Sequence, residues 1–251
     1  MTGENLMTVG ASLYENPVSP SAVHSGTRIF APESYRAVRE AQTCPVVHTE
    51  ALNLAAFYPI CWIAGGARPT LVALRSLMPD GHGHLREFAR IPSALPLSLQ
   101  AYPFVADAPV EQGGESPILI DNVIADEPTD IGSPILTTQG GLTRGAETRL
   151  RAAAFFRTDL PQTERITEAL VEVDCLVPWV VDPKALPPGA HVPDMLVVGP
   201  VEKVSDRLYQ VLRRLGSISG IFLGAHRISL FRIAGLVRAA NEAGRLTSTA
   251  Q

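Results

Sequence analysis

Lysine is almost missing from this chain: Lys184 and Lys203 stand alone, and arginine supplies the rest of the positive charge. With a formal net charge of −4 and only 18% charged residues, no broad basic face exists to neutralise a phosphate backbone, which excludes the electrostatic footprint of a nucleic-acid-binding protein. Cysteine is scarce too. Cys44, Cys61 and Cys175 are odd in number, widely spaced and set in apolar surroundings, so neither a disulfide framework nor a four-ligand zinc site is expected, and all three are expected as reduced, buried thiols. The chain has no long uninterrupted apolar run. Its least charged stretch, residues 51–67, contains Asn53, Pro59 and Gly65-Gly66, and is expected to be a buried helix turning into a strand rather than a membrane span. The N-terminus, MTGENLMTVGASLYENPVSP, lacks the basic start and apolar stretch of a secretory signal. A cytoplasmic location is the expectation, with non-classical export to the cell surface as the other route. Gly-x-Ser-x-Gly, Gly-x-Gly-x-x-Gly and Walker-type loops are all missing, so no ready-made nucleophile elbow or phosphate cradle is present.

What the chain does have is enough apolar material, 46%, to bury a substantial core. The pattern predicts an α+β fold: a small mixed or antiparallel sheet with packed helices and a C-terminal helical pair. Residues 1–28 are small and polar without a period and read as an N-terminal arm, 29–245 as a single domain, and 246–251 as a tail. Strand candidates are Cys44-Pro-Val-Val, Tyr58–Ile63, Thr70–Leu77, His84–Phe88 and Pro117–Asp121, and the segment 195–204 resembles one or two short strands. Helices are expected over 33–39, 49–57 and 144–158. A further helix is capped by Asp159 and runs to Cys175, with Pro161 in its first turn. Ser205 is expected to cap another, closed by Gly216. The last, residues 218–241, is apolar nearly all round in its first half, which is therefore expected to sit inside the core.

Two local patterns carry metal chemistry. His82-Gly-His84 with Glu87 would place two imidazoles on one side of a strand with a carboxylate nearby, a facial set for a divalent ion; the competing reading is a solvated turn after Pro79-Asp-Gly. His48-Thr-Glu50 superficially matches the His-x-Glu of zinc deaminases, but the Pro-Cys-x-x-Cys partner is absent, and a helix N-terminus capped near Thr49 or Glu50 is the expectation. No other cofactor is expected.

Several ordered fragments resemble the bacterial SapC family: CPVVHTEALNLAAFYPICWIAGGARPTLVALRSL, LPLSLQAYPFVAD, SPILIDN, TERITEALVEVDCLVPW, and VVGPVEKVSDRLYQVLRRLGSISGIFLGAHRISLFRIAGLV. The most characteristic are Tyr58-Pro59, Tyr102-Pro103-Phe104, Thr167-Glu168-Ala169-Leu170, and Ala225-His226 followed by Ser229-Leu230. The chain departs from the family at Gly224, where members carry tyrosine, and at Asn122-Val123-Ile124, where they carry an acidic cluster. The resemblance draws attention to Tyr58, Tyr102, Asp121 and His226 as binding residues. On the fold side, neutral support is the competing role for His226, and a turn cap or an arginine partner for Asp121.

The resulting functional expectation is a non-enzymatic binding or accessory protein acting through protein or peptide contacts, without a nucleic-acid partner or transmembrane segment, and with homo-oligomerisation open. The competing expectation is a metal-dependent, oxygenase-like or peptide-modifying enzyme centred on His82, His84 and Glu87. The third, implied by the family's association with surface layers, is a structural surface-layer component.

Overall fold

The computed structural model of the chain describes residues 13–22, 26–65, 68–78, 94–107 and 118–249. The fold is α+β, as expected from the sequence, and every strand pair among the described residues is antiparallel.

The N-terminal half supplies β1 (Pro17–Val18), β2 (Arg28–Ile29), α1 (Arg36–Glu40), β3 (Thr43–Pro45), α2 (Ala51–Leu54), β4 (Ile60–Ile63), β5 (Thr70–Leu74), α3 (Leu97–Ala101), β6 (Ile120–Asp121) and β7 (Ser133–Pro134). The C-terminal half is more helical: α4 (Arg144–Glu172), β8 (Leu176–Pro178), β9 (Met195–Val198), α5 (Val201–Leu215), α6 (Ser217–Ser229) and α7 (Ile233–Thr249). A 3₁₀ turn, Leu230–Arg232, joins the last two helices.

The main sheet has the order β3-β5-β4-β9-β8, flanked by the two-stranded pairs β1-β6 and β2-β7. The registers Trp62↔Leu71 and Trp62↔Leu196 put the apolar run of β4 in the middle. That run does not alternate with polar residues because both sides of the sheet are covered. Ile60, Trp62, Leu71 and Ala73 join one core cluster with Phe222 of α6 and Leu170 of α4, while Cys61, Val72 and Leu74 join a second with Leu236 and Ala240 of α7. All three cysteines are free and buried.

One continuous α4 replaces the two helices expected on either side of Asp159. Its cap is Thr143, whose side chain accepts from Ala146 N, and Pro161 lies inside it. A proline there removes the bond its N–H would make to the Arg157 carbonyl. The helix survives because both flanks are pinned: Phe156 and Ile166 are buried, Thr163 Oγ1 donates to the Asp159 carbonyl at 2.9 Å, and Asp159 accepts from Thr49. Arg149 and Arg157, two turns apart, clamp the segment after α3 from outside. The first donates to Tyr102 O at 3.0 Å, the second to Val105 O at 2.6 Å and Ala106 O at 3.1 Å.

The chain after β9 also differs from expectation. The strand stops at Val198, Gly199 N turns to the Cys175 carbonyl at 2.9 Å, and α5 starts directly after Pro200 rather than at Ser205. Pro200, with its fixed φ, is well suited to the residue preceding a first helical turn. Gly216 closes α5 with φ +79°, as its glycine predicts. The short helices over 32–40 and 48–54 fall near their expected places, partly as 3₁₀ turns. The strand expected over His84–Phe88 lies outside the described residues.

Candidate functional site

Two of the residues singled out from the sequence meet in space. Tyr102 donates to Asp121 Oδ2 at 2.7 Å, and the same carboxylate accepts the backbone N–H groups of Glu15, at 3.1 Å, and Asn16, at 2.6 Å. Both side chains are buried. Tyr102 also stacks on Tyr14 at 5.9 Å between ring centres and meets Tyr35 edge-on at 4.9 Å. Burial first, and then the neighbouring Asp121 carboxylate, pushes the Tyr102 hydroxyl far above its ordinary range, so it remains a donor. Together with Tyr14, whose oxygen accepts from Ala106 N at 2.9 Å, this centre ties residues 13–18 to the body. The Asp121 pairing is therefore with a tyrosine and two amides rather than an arginine.

His226 is fully buried and bridges two sheet strands. A carbonyl can only accept, so Nδ1 donates to Ile60 O at 2.6 Å and Nε2 accepts from Val198 N at 3.2 Å. Burial lowers its pKa to about 4, because a proton added at Nε2 would lose water and face an N–H donor. Trp62 lies edge-on to the imidazole at 5.0 Å. Tyr58 is buried as well; burial raises its hydroxyl pKa against the opposing pull of Arg75, with which it is hydrogen-bonded.

The His48-Thr-Glu50 segment forms the capping turn expected of a helix N-terminus. Glu50 Oε2 accepts from Val47 N at 3.0 Å and Oε1 from Leu97 N at 2.6 Å, so one carboxylate joins two elements. Burial nevertheless pushes Glu50 up to about 7. His48 Nδ1 lies 3.0 Å from Thr163 Oγ1, whose proton is committed to Asp159 O, and burial lowers the imidazole pKa. A cleft of about 280 Å³, lined by Thr49, Asn53, Leu97, Phe155 and Asp159, opens beside this turn. Sequence spacing does not reveal it, since its walls come from three separated segments.

His82, His84 and Glu87 lie outside the described residues. Among the described residues no group of three or more His, Cys, Asp or Glu side chains converges as a metal set would.

The largest departure from the sequence reading is α6. Expected inside the core, it is enclosed on one side only: Ile218, Ile221 and Ile228 are 56%, 59% and 61% exposed, and Phe231 in the following turn is 81% exposed. These positions recur every three or four residues, with exposed Gly224 among them, so they share one outer face. The inner face carries Phe222, Leu223 and Ala225 together with three polar side chains, Ser219, His226 and Ser229, each fully buried. Ser229 Oγ accepts from Ile60 N at 2.9 Å and donates to His226 O at 2.6 Å. Polarity is thus reversed relative to an ordinary surface helix: the hydrogen-bonding groups face the sheet and the isoleucines face outward.

Residues 217–243 form a helix long and apolar enough, by length and composition, to cross a membrane. In the fold its inner side is occupied by the sheet. One turn beyond Ile228, the same outer face opens into a pocket of about 200 Å³, lined by Arg232, Gly235, Arg238 and Glu242 and walled by Ala56 and Phe57 after α2. Arg232 Nε donates to Ala55 O at 3.2 Å. Arg238 makes no hydrogen bond or ion pair among the described residues.

In comparison with known proteins, a family model described as SapC aligns with residues 20–233. No curated protein and no solved structure matches the chain.

Proposed function

Since the chain belongs to the SapC family, we propose from its surface that it is a non-enzymatic binding protein that docks a protein or peptide on the outer face of α6. The observation that carries this reading is the row Ile218, Ile221, Ile228 and Phe231, each more than half exposed on a helix whose inner face is fixed to the sheet. Isolated surface hydrophobes need no explanation, but a row of three exposed isoleucines along one helix, continued by a phenylalanine in the turn that follows, marks an interaction surface. The buried polar centres support the same reading from the other side. Tyr102, Asp121 and His226 spend their hydrogen bonds on the chain's own backbone and on one another, which holds a scaffold rather than presenting groups to a reactant.

The test is a comparison of wild type with I221D/I228D, each tagged and recovered from the producing cells. A polypeptide bound near stoichiometrically to wild type and depleted at least tenfold from the variant, with unchanged thermal stability of the variant, is the expected result. Equal recovery of that polypeptide by both proteins contradicts the assignment of the face.

A further inference from the structure

We infer that the segment docking on this face is an amphipathic helix of a protein partner that carries an acidic side chain one turn past its apolar row, and that this carboxylate enters the pocket at Arg232 and Arg238. This inference rests on the docking reading above and names the chemistry of the partner.

Three observations converge on it. Continuity is the first. Ile218, Ile221, Gly224 and Ile228 recur every three or four residues, and Ile228 is followed at the same spacing by Arg232, Gly235, Arg238 and Glu242, so the apolar half and the polar pocket share one outer face. The apolar half spans about 20 Å from residue 218 to 231 at 1.5 Å per residue, the length of three to four helical turns. A helix laid along that row has its next turn opposite the pocket.

The second is charge. Two guanidinium groups and one carboxylate line the pocket, which leaves it net positive. Arg238 has no partner among the described residues, and Arg232 has committed only its Nε, to Ala55. Guanidinium presents paired donors that match the two oxygens of a carboxylate. Ala56, Phe57 and Ala239 exclude water from part of the pocket wall, which strengthens such a contact relative to one in open solvent.

The third is what the same charges disfavour. A second copy of the chain, laid antiparallel along the stripe, would bring the exposed Arg213, at the end of α5 just before the stripe, towards the partner's arginine pocket; laid parallel, it would set the two pockets together. Either arrangement opposes like charges. An anionic membrane presents a broad plane of headgroups, whereas the two arginines line a pocket of about 200 Å³ walled by Ala56 and Phe57, which admits a side chain from a helix laid along the stripe.

The experiment titrates the full chain with three synthetic amphipathic helical peptides of the same leucine row, ending one turn further in a Glu pair, a Gln pair or a Lys pair. Wild type is expected to bind the Glu peptide at least tenfold more tightly than the Gln peptide, and more weakly still to the Lys peptide. R238E is expected to reverse the order of Glu and Lys, whereas I221D/I228D is expected to lose all three. Equal affinity of wild type for the Glu and Gln peptides overturns the acidic assignment and leaves the docking reading standing. Failure of all three peptides to bind wild type overturns both. Vesicles of phosphatidylglycerol and sedimentation of the chain alone complete the set: vesicle binding or dimerisation abolished by I221D/I228D would replace the acidic helix with lipid or with a second copy.

Discussion

His226 of α6 donates its Nδ1 proton to the carbonyl of Ile60 at 2.6 Å, at the first residue of the central strand β4. Through its other nitrogen it accepts the N–H of Val198 on the neighbouring strand β9, so a single neutral imidazole fixes one helix to two adjacent strands. Ser229, one turn on, takes the Ile60 N–H. The polar groups of α6 are thereby turned inward and used up, which leaves its isoleucines as the face presented to solvent.

Removing the imidazole should therefore unfasten the helix. H226L leaves the Ile60 carbonyl and the Val198 N–H buried without partners and is expected to destabilise the protein by about 2–4 kcal/mol, with S229A costing about 1–2 kcal/mol. Urea unfolding measures both; a loss below half a kcal/mol for H226L would contradict the bridging geometry.

Glu50 and His226 should bend the pH dependence of stability in opposite directions. Glu50 is raised from 4.5 to about 7 in the fold, so its contribution is fully present below about pH 4.5 and is lost as pH rises through about 7. His226 is lowered from 6.5 to about 4, so its contribution is present above pH 6.5 and is lost as pH falls through about 4. Each displacement corresponds to on the order of 3 kcal/mol, with opposite signs over nearly the same window. In wild type the two slopes oppose each other. E50Q should expose the histidine's acid sensitivity between pH 6.5 and 4, whereas H226Q should make the fold weaken as pH rises from 4.5 to 7. Urea midpoints measured from pH 4 to 8 check this, and an E50Q profile parallel to wild type would contradict it.

Pro161 provides a test of the unbroken α4. At the start of a new helix proline would be favourable, and P161A would be neutral or destabilising. Inside one continuous helix, where Pro161 is exposed and the Arg157 carbonyl is denied its usual partner, P161A should stabilise the protein by about 1–3 kcal/mol. Thermal unfolding decides the sign.

The Asp121 centre should hold the N-terminal segment specifically. D121N replaces an acceptor-only carboxylate with an amide whose NH₂ group faces donors at Glu15, Asn16 or Tyr102. A loss of about 2–3 kcal/mol is expected, against about 1 kcal/mol for Y102F, which removes a single bond. Limited proteolysis around residues 13–18 should accelerate in D121N before global unfolding does, because Asn122 N and Asn16 O, with β1 paired to β6, complete the same attachment.

The sequence reveals the fold in its broad features and the exposed face of α6 hardly at all, for physical reasons. The Leu-, Val- and Ile-rich strands β4 and β5, the glycine closing α5 and the buried cysteines follow from local composition. Asp159 misleads because a carboxylate three residues before Gln162 looks the same whether it caps a new helix or accepts from Thr49 across space. The exposure of α6 is hidden for a related reason. A helix apolar on both faces gives no contrast from which to read its orientation, and the sheet selects the face that carries His226 and Ser229 through bonds 166 and 169 residues apart in sequence. Likewise, the arginine pocket needs Ala56 and Phe57 from the opposite end of the chain to become concave.

Site-specific photocrosslinking in the producing cells is the most direct test of the outer face of α6 as the working surface. A benzophenone side chain at position 221 or 228 should give one discrete adduct with another polypeptide, and the same probe at Val180, which is 85% exposed far from the stripe in sequence, should give none. Adducts of equal yield from position 180, or none from either position in α6, would contradict the account.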